Sequence, residues 1–322
     1  MKKSCADGRV FKIFLSDLNM CAKKRDLYSA NGQPVQGVTT IIGKLDKPAL
    51  VGWAAKEASL YVARYWESGK AYPSDYIEAV LQNAKAAHRV KKEKAGDIGT
   101  DIHALCEAYC GNQLNPEDVP EEPSDLGEEK GYRRKALVNF SKLTAGWIWL
   151  AAEIVVIYIP EPDENGKINY DLAYGGTADG LAFILTAPLP PFGQMPEGMV
   201  ILSDTKTSSG VYATHGLQCG FYSFARPQVD KEIVINGFKT TLWALWAKIE
   251  EARILHFDKE LCAWEILERD VKQHYPYIPG ICLAAAWVKK FDRPQWENSA
   301  VPAAIPSWVN EKREPATSIH IG

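Results

Sequence analysis

At 322 residues the chain can bury a sizeable core, as one large or two ordinary domains. With 46% apolar and 24% charged residues it has a globular balance, and 10 Trp and 14 Tyr argue against extensive disorder. No apolar run is long enough to cross a bilayer, and a formal net charge of −3 gives no global attraction to nucleic acid, so a polyanion must meet a local patch and a metal. The N-terminus lacks the apolar region of a signal peptide. The seven Cys are scattered without the spacing of a disulfide framework and read as thiols of a reducing compartment. A cytoplasmic protein with no membrane partner is expected.

In chain order, residues 1–60 read as short strands and turns followed by a helix. Val38-Thr39-Thr40-Ile41-Ile42 is strand-like or helix-opening, and 48–65 is helical. Residues 74–94 carry apolar positions at helical spacing. Gly96 and Gly99 punctuate, and a second helix runs from about 100 to 109. An acidic, Pro-containing surface loop at 116–129 precedes a helix at 133–143. Then strands are expected at 147–159, 168–174 and 178–185, with a hairpin-type turn at 160–166. A Pro-rich loop leads to the apolar run Met199-Val200-Ile201-Leu202-Ser203, which ends in Asp204-Thr205-Lys206. Helices at 214–225 and 241–251, strands at 252–257 and 261–267, and a partly helical stretch at 271–291 complete the pattern. This order predicts an α/β (α+β) fold, a mixed β-sheet flanked by helices with an N-terminal helical region. It divides into a lead-in at 1–95 packed on the core, a core at 96–270, and a C-terminal helix with irregular tail at 271–322.

Side chains two apart on a strand share a face, so Asp204 and Lys206 project together from a mostly buried strand. An acid and a lysine are costly there unless they pair, bind a metal or do chemistry. Asp179 ends the run Gly175-Gly176-Thr177-Ala178-Asp179, where the glycines permit close approach. Two carboxylates with main-chain oxygens form a ligand set that Mg²⁺ accepts. The alternative is a structural ion pair on an edge strand with Asp179 in an ordinary turn. His103 lies beside the apolar stripe of its helix and is either a structural histidine or a metal ligand. Cys106 and Cys110 follow one and two turns later, but closed zinc sites seldom sit on one helix. Gln218 and Tyr222, four apart, share a helix face and either bridge helices or contact a phosphate, a base or Lys206. Glu153 is either a strand-end charge or a carboxylate standing behind metal ligands. Arg89, Lys91, Lys92 and Lys94 form a basic cluster, either solvated surface or a DNA-binding contact to phosphates.

Together, Gly99-Thr100-Asp101-Ile102-His103, Glu153, Gly176-Thr177-Ala178-Asp179, Asp204-Thr205-Lys206-Thr207 and Gln218-x-x-x-Tyr222 resemble, in that order, the RecB-like branch of the PD-(D/E)XK nucleases. That branch includes phage exonucleases, the mitochondrial genome maintenance exonuclease and CRISPR adaptation nucleases. The likeness covers roughly residues 28–225. It implies a restriction-endonuclease-like core and a DNA exonuclease that leaves 5′-phosphate ends. It further implies that His103, Asp179, Asp204 and the carbonyl of Thr205 ligate Mg²⁺ or Mn²⁺. Lys206 becomes the catalytic lysine, supported by Gln218 and Tyr222. DNA is the implied partner, with a recombination or single-strand-binding protein as a further one, in a phage or mobile-element setting. Some relatives carry an iron–sulfur cluster on three close late cysteines; Cys262 and Cys282 are far apart, so none is expected here.

Overall fold

A computed structural model describes residues 28–45, 48–67, 69–120, 132–259 and 261–291. The expectations for residues 1–27, for most of the acidic loop and for the tail beyond 291 lie outside the described residues. The elements are β1 (Tyr28–Ala30), β2 (Gln33–Gly37), α1 (Val38–Gly43), α2 (Pro48–Tyr65), α3 (Ser74–Cys110), α4 (Tyr132–Leu143), β3 (Trp147–Tyr158), β4 (Tyr174–Leu185) and β5 (Gly198–Lys206). After them come α5 (Ala213–Phe224), β6 (Arg226–Pro227), a small hairpin of β7 (Glu232–Ile235) and β8 (Phe238–Thr241), α6 (Leu242–Trp246), β9 (Glu251–Asp258), β10 (Ala263–Asp270) and α7 (Ile278–Phe291).

The main sheet is mixed, with the order β1-β2-β4-β5-β9-β10, and β3 pairs with β4 and β6. Strands β2/β4 and β5/β9 are parallel, while β3/β4, β4/β5 and β9/β10 are antiparallel. The α/β fold expected from the element order is therefore present. Val200 and Leu202 join one buried cluster with Phe221 and Tyr222 of α5. Ile201 joins the other, with Ile102 and Leu105 of α3 and Phe140 of α4. The period-2 alternation of β5 thus assigns its even positions to the α5 face and its odd positions to the α3 face.

Several local expectations are corrected. Residues 74–110 form one helix, not two. Gly99 does not break it; a Cβ there would come 2.6 Å from Thr207 Oγ1, so the glycine lets α3 approach the end of β5. Residues 168–173 form no strand but a turn centred on 170–172, with the Asp171 amide donating to Asn169 Oδ1, and β4 instead runs unbroken through Gly175 and Gly176. The helix expected at 241–251 stops at Trp246, whose indole N–H donates to the Ala225 carbonyl. Of the two readings of the Val38 segment the helix-opening one holds, since α1 begins at Val38. Cys106, Cys110, Cys219, Cys262 and Cys282 are buried thiols, none in a disulfide. Among the described residues no helix is long and apolar enough to cross a membrane.

Candidate active site

Asp204 is wholly buried on the α5 face of β5. Its Oδ2 lies 2.7 Å from Lys206 Nζ, while Oδ1 is buried without a hydrogen-bond donor. Burial pushes its pKa up to about 6, opposed by the Lys206 ammonium and reinforced by the Asp179 carboxylate. For Lys206, burial alone would favour the neutral amine, but the Asp204 and Asp179 charges outweigh it and raise the pKa. The ammonium is thus held charged.

A carboxyl whose folded pKa exceeds its ordinary value of 3.8 binds its proton more tightly folded than unfolded. Its contribution to stability is greatest below the unfolded value and declines as pH rises toward the folded value of about 6. Urea unfolding without divalent cations should therefore show wild type losing ground to Asp204→Asn between about pH 4 and pH 6. A stability difference that is flat across that window would contradict the raised pKa.

Asp179 sits where β4 loses a neighbour. On one edge β4 pairs with β2 at Tyr174 and Gly175, then with β5 from Gly180 onward, which leaves 176–179 facing a gap. Asp179 Oδ2 accepts the Thr205 amide hydrogen at 2.7 Å and lies 3.4 Å from His103 Nδ1. The N–H and C=O of one strand residue point to the same edge, so the Thr205 carbonyl opens onto this gap as well. Asp179, Thr205 and His103 share one small cavity on the α3 side. Asp204 and Lys206 lie on the α5 side. The two acids therefore do not share a face. They approach across the strand edge, close enough for the Asp179 charge to raise the Asp204 pKa.

The same cavity is lined by Cys106, Glu107 and Glu153. Glu153 is not at a strand end. It occupies the rung between Ala152–Gly180 and Ile154–Ala178, opposite Asp179, in a left-handed conformation with φ 49°. Glu107 escaped the motif reading, although its spacing of four from His103 on a helix was the available signal. Burial first, then the Asp179 charge, raises the Cys106 thiol well above its usual pKa, which disfavours the thiolate that a soft metal needs. Among the described residues, no three His, Cys, Asp or Glu side chains are grouped as a finished metal site. The observation that does fit a hard divalent cation is the buried Asp204 oxygen lacking a donor, within electrostatic reach of the Asp179 carboxylate.

On α5, Gln218 Nε2 donates to the Tyr222 hydroxyl at 2.7 Å, so the pair is bonded to itself. Burial and the Asp204 charge raise the tyrosine pKa well above its ordinary value. Tyr222 fits over a bare stretch of β4, because a Cβ on Gly176 would stand 2.5 Å from the Tyr222 ring. Gly176→Ala should displace that ring at a cost of about 1–3 kcal/mol, read by urea unfolding; an unchanged midpoint would mean that the ring moves freely.

Arg89 is exposed on α3, 14 residues before His103, hence about 21 Å along the helix axis and not beside the site. The side chains of Lys91, Lys92 and Lys94 lie outside the described residues.

No family model matches the chain, and no curated protein matches it. A solved structure described as the crystal structure of SSO0001 is 14% identical, with a TM-score of 0.27, over 50% of this chain and 60% of that one. The match thus spans less than two thirds of that protein, and at this level it bears on neither fold nor chemistry.

Proposed function

We propose that the protein is a divalent-cation-dependent deoxyribonuclease that works from DNA ends and leaves 5′-phosphates. The observation that supports this most is Asp204: a fully buried carboxylate, ion-paired at 2.7 Å to Lys206, with one oxygen that no donor satisfies. Burying such a group without a partner is expensive unless a ligand completes it. Asp204, Asp179, His103 and the Thr205 carbonyl would hold Mg²⁺ or Mn²⁺, which when bound supplies a polarised water and positive charge at the scissile phosphate.

The protein's own groups do the rest. Lys206, kept charged by its two acidic neighbours, stabilises negative charge that develops on the phosphoryl oxygens. Asp179 fixes the β5 main chain at Thr205, so the carbonyl and Asp204 keep a constant relation. Tyr222 and Gln218 cover the α5 side of this strand and exclude water from Asp204. Water adds to phosphorus, the bond to the 3′ oxygen breaks, and that oxygen leaves with a proton. Preference for ends is what the resemblance to the RecB-like nucleases implies, as is a role in recombination, replication or end processing beside a recombination or single-strand-binding protein.

The test is digestion of end-labelled linear and circular DNA with Mg²⁺, Mn²⁺ or EDTA. Release of nucleotides from linear DNA alone, abolished by EDTA, is the expected result. Cutting of circles would make the protein an endonuclease. No divalent-dependent cutting of either substrate would leave Asp204–Lys206 a structural pair.

A further inference from the structure

Lys206 is the last residue of β5, and the chain then passes through residues 207–212 to α5. Two neighbours bear on this segment from different elements. On the α3 side, Gly99 allows close contact with Thr207. On the sheet side, His256 of β9 is the register partner of Lys206. Its side chain is 8% exposed; Nε2 lies 2.7 Å from the Ser208 carbonyl and Nδ1 lies 2.7 Å from Glu265 Oε1. Glu265 is its cross-strand partner on β10, so two strands combine to orient one ring.

The chemistry fixes the roles. A carbonyl only accepts, so Nε2 carries the hydrogen and donates to Ser208. Nδ1 then faces Glu265 Oε1, so both ring nitrogens have polar partners. Ser208 Oγ in turn donates to the Gly210 carbonyl at 2.7 Å, which tightens the turn that the histidine holds. A ring used only to fill space would not need polar partners at both nitrogens.

We infer that His256, oriented by Glu265, is a positioning residue for Lys206: it clamps the chain two residues beyond the lysine and so fixes where Nζ stands relative to Asp204. The inference rests on the hydrolytic role of Lys206 proposed above. His256 acts through the main chain and does not touch substrate. A shift of about 1 Å in a catalytic group costs up to about 10²-fold in rate, so a loosened segment is felt in turnover more than in binding.

The experiment uses the full chain with His256→Phe, which keeps a buried ring but removes both hydrogen bonds. Glu265→Leu releases Nδ1 from an exposed position, and serves if His256→Phe fails to fold. Glu265→Gln is the conservative control, because a carboxamide can accept from or donate to the ring. Hydrogen exchange of peptides covering 203–212 is read first. His256→Phe should exchange about tenfold faster there while the remaining strands keep their protection. At saturating Mg²⁺, its kcat on linear DNA should fall about 10- to 100-fold with KM changed less than threefold. Glu265→Leu should move both readouts the same way by less, and Glu265→Gln should match wild type. Unchanged exchange in His256→Phe overturns the clamp, and faster exchange with unchanged kcat overturns its positioning of Lys206. If wild type cuts no DNA, the nuclease reading falls by itself, while the exchange measurement still decides whether His256 holds the segment.

Discussion

Asp204→Asn should abolish divalent-dependent DNA hydrolysis, lowering the rate by at least about 10³-fold at neutral pH, with the fold intact. The side chains are nearly isosteric, so the buried surroundings shared with Cys219 and Tyr222 are retained. What changes is charge. The carboxylate that pairs with Lys206 becomes a neutral amide, which offers one oxygen where the acid offered two. The variant should melt close to wild type without added cation, because it also loses a buried charge that is unfavourable above about pH 6. Added Mg²⁺ or Mn²⁺ should raise the melting temperature of wild type but not of the variant. Retained hydrolysis in a pure sample would remove Asp204 from the chemistry.

Lys206→Met, which keeps the length of the side chain without the ammonium, should reduce kcat about 10²- to 10⁴-fold. It has a second consequence with a calculable direction. Lys206 is the main group that holds the Asp204 pKa down; without it, burial and Asp179 are opposed by His103 alone and the carboxyl titrates higher still. More of the metal-free variant would then carry a protonated Asp204, and cation binding must release that proton. Its half-saturating Mg²⁺ concentration should fall more steeply with rising pH than that of wild type. Stability should drop by less than the roughly 3–5 kcal/mol of a stranded buried charge, since proton uptake neutralises it. Kinetics across pH and Mg²⁺ concentration separate this from simple loss of a general catalyst. A pH-independent Mg²⁺ requirement would show that Lys206 does not control the acid. The effects of the two substitutions should not add, because the residues act on one another at 2.7 Å.

The local parts of the site were legible in the sequence, and its long-range parts were not. The apolar run before Asp204 specified a buried strand, and period 2 along it put Asp204 and Lys206 on one face. The spacing of Gln218 and Tyr222 gave their mutual contact, since helix neighbours four apart always meet. Placement of Asp179 was beyond such reasoning. It depends on β2 and β5 sharing one edge of β4 and leaving 176–179 between them, a pairing with no local signature. The same limit explains Gly99: a helix-interior glycine looks like a break until Thr207 is seen against it. Residues 168–173 were misread because their apolar and β-prone side chains outweighed the turn chemistry of Asn169 and Asp171. Glu107 was available from its helical spacing to His103. His256 could be recognised only from the Ser208 and Glu265 contacts that tertiary structure creates.

The central claim is that Asp204, with Asp179 beside it, completes a hard-cation site. Calorimetric titration of Mn²⁺ into metal-free wild type and Asp204→Asn at pH 7.5 tests this without any assumption about substrate. Saturable binding by wild type that disappears in the variant is the expected result. No binding by wild type, or equal binding by both proteins, would contradict it.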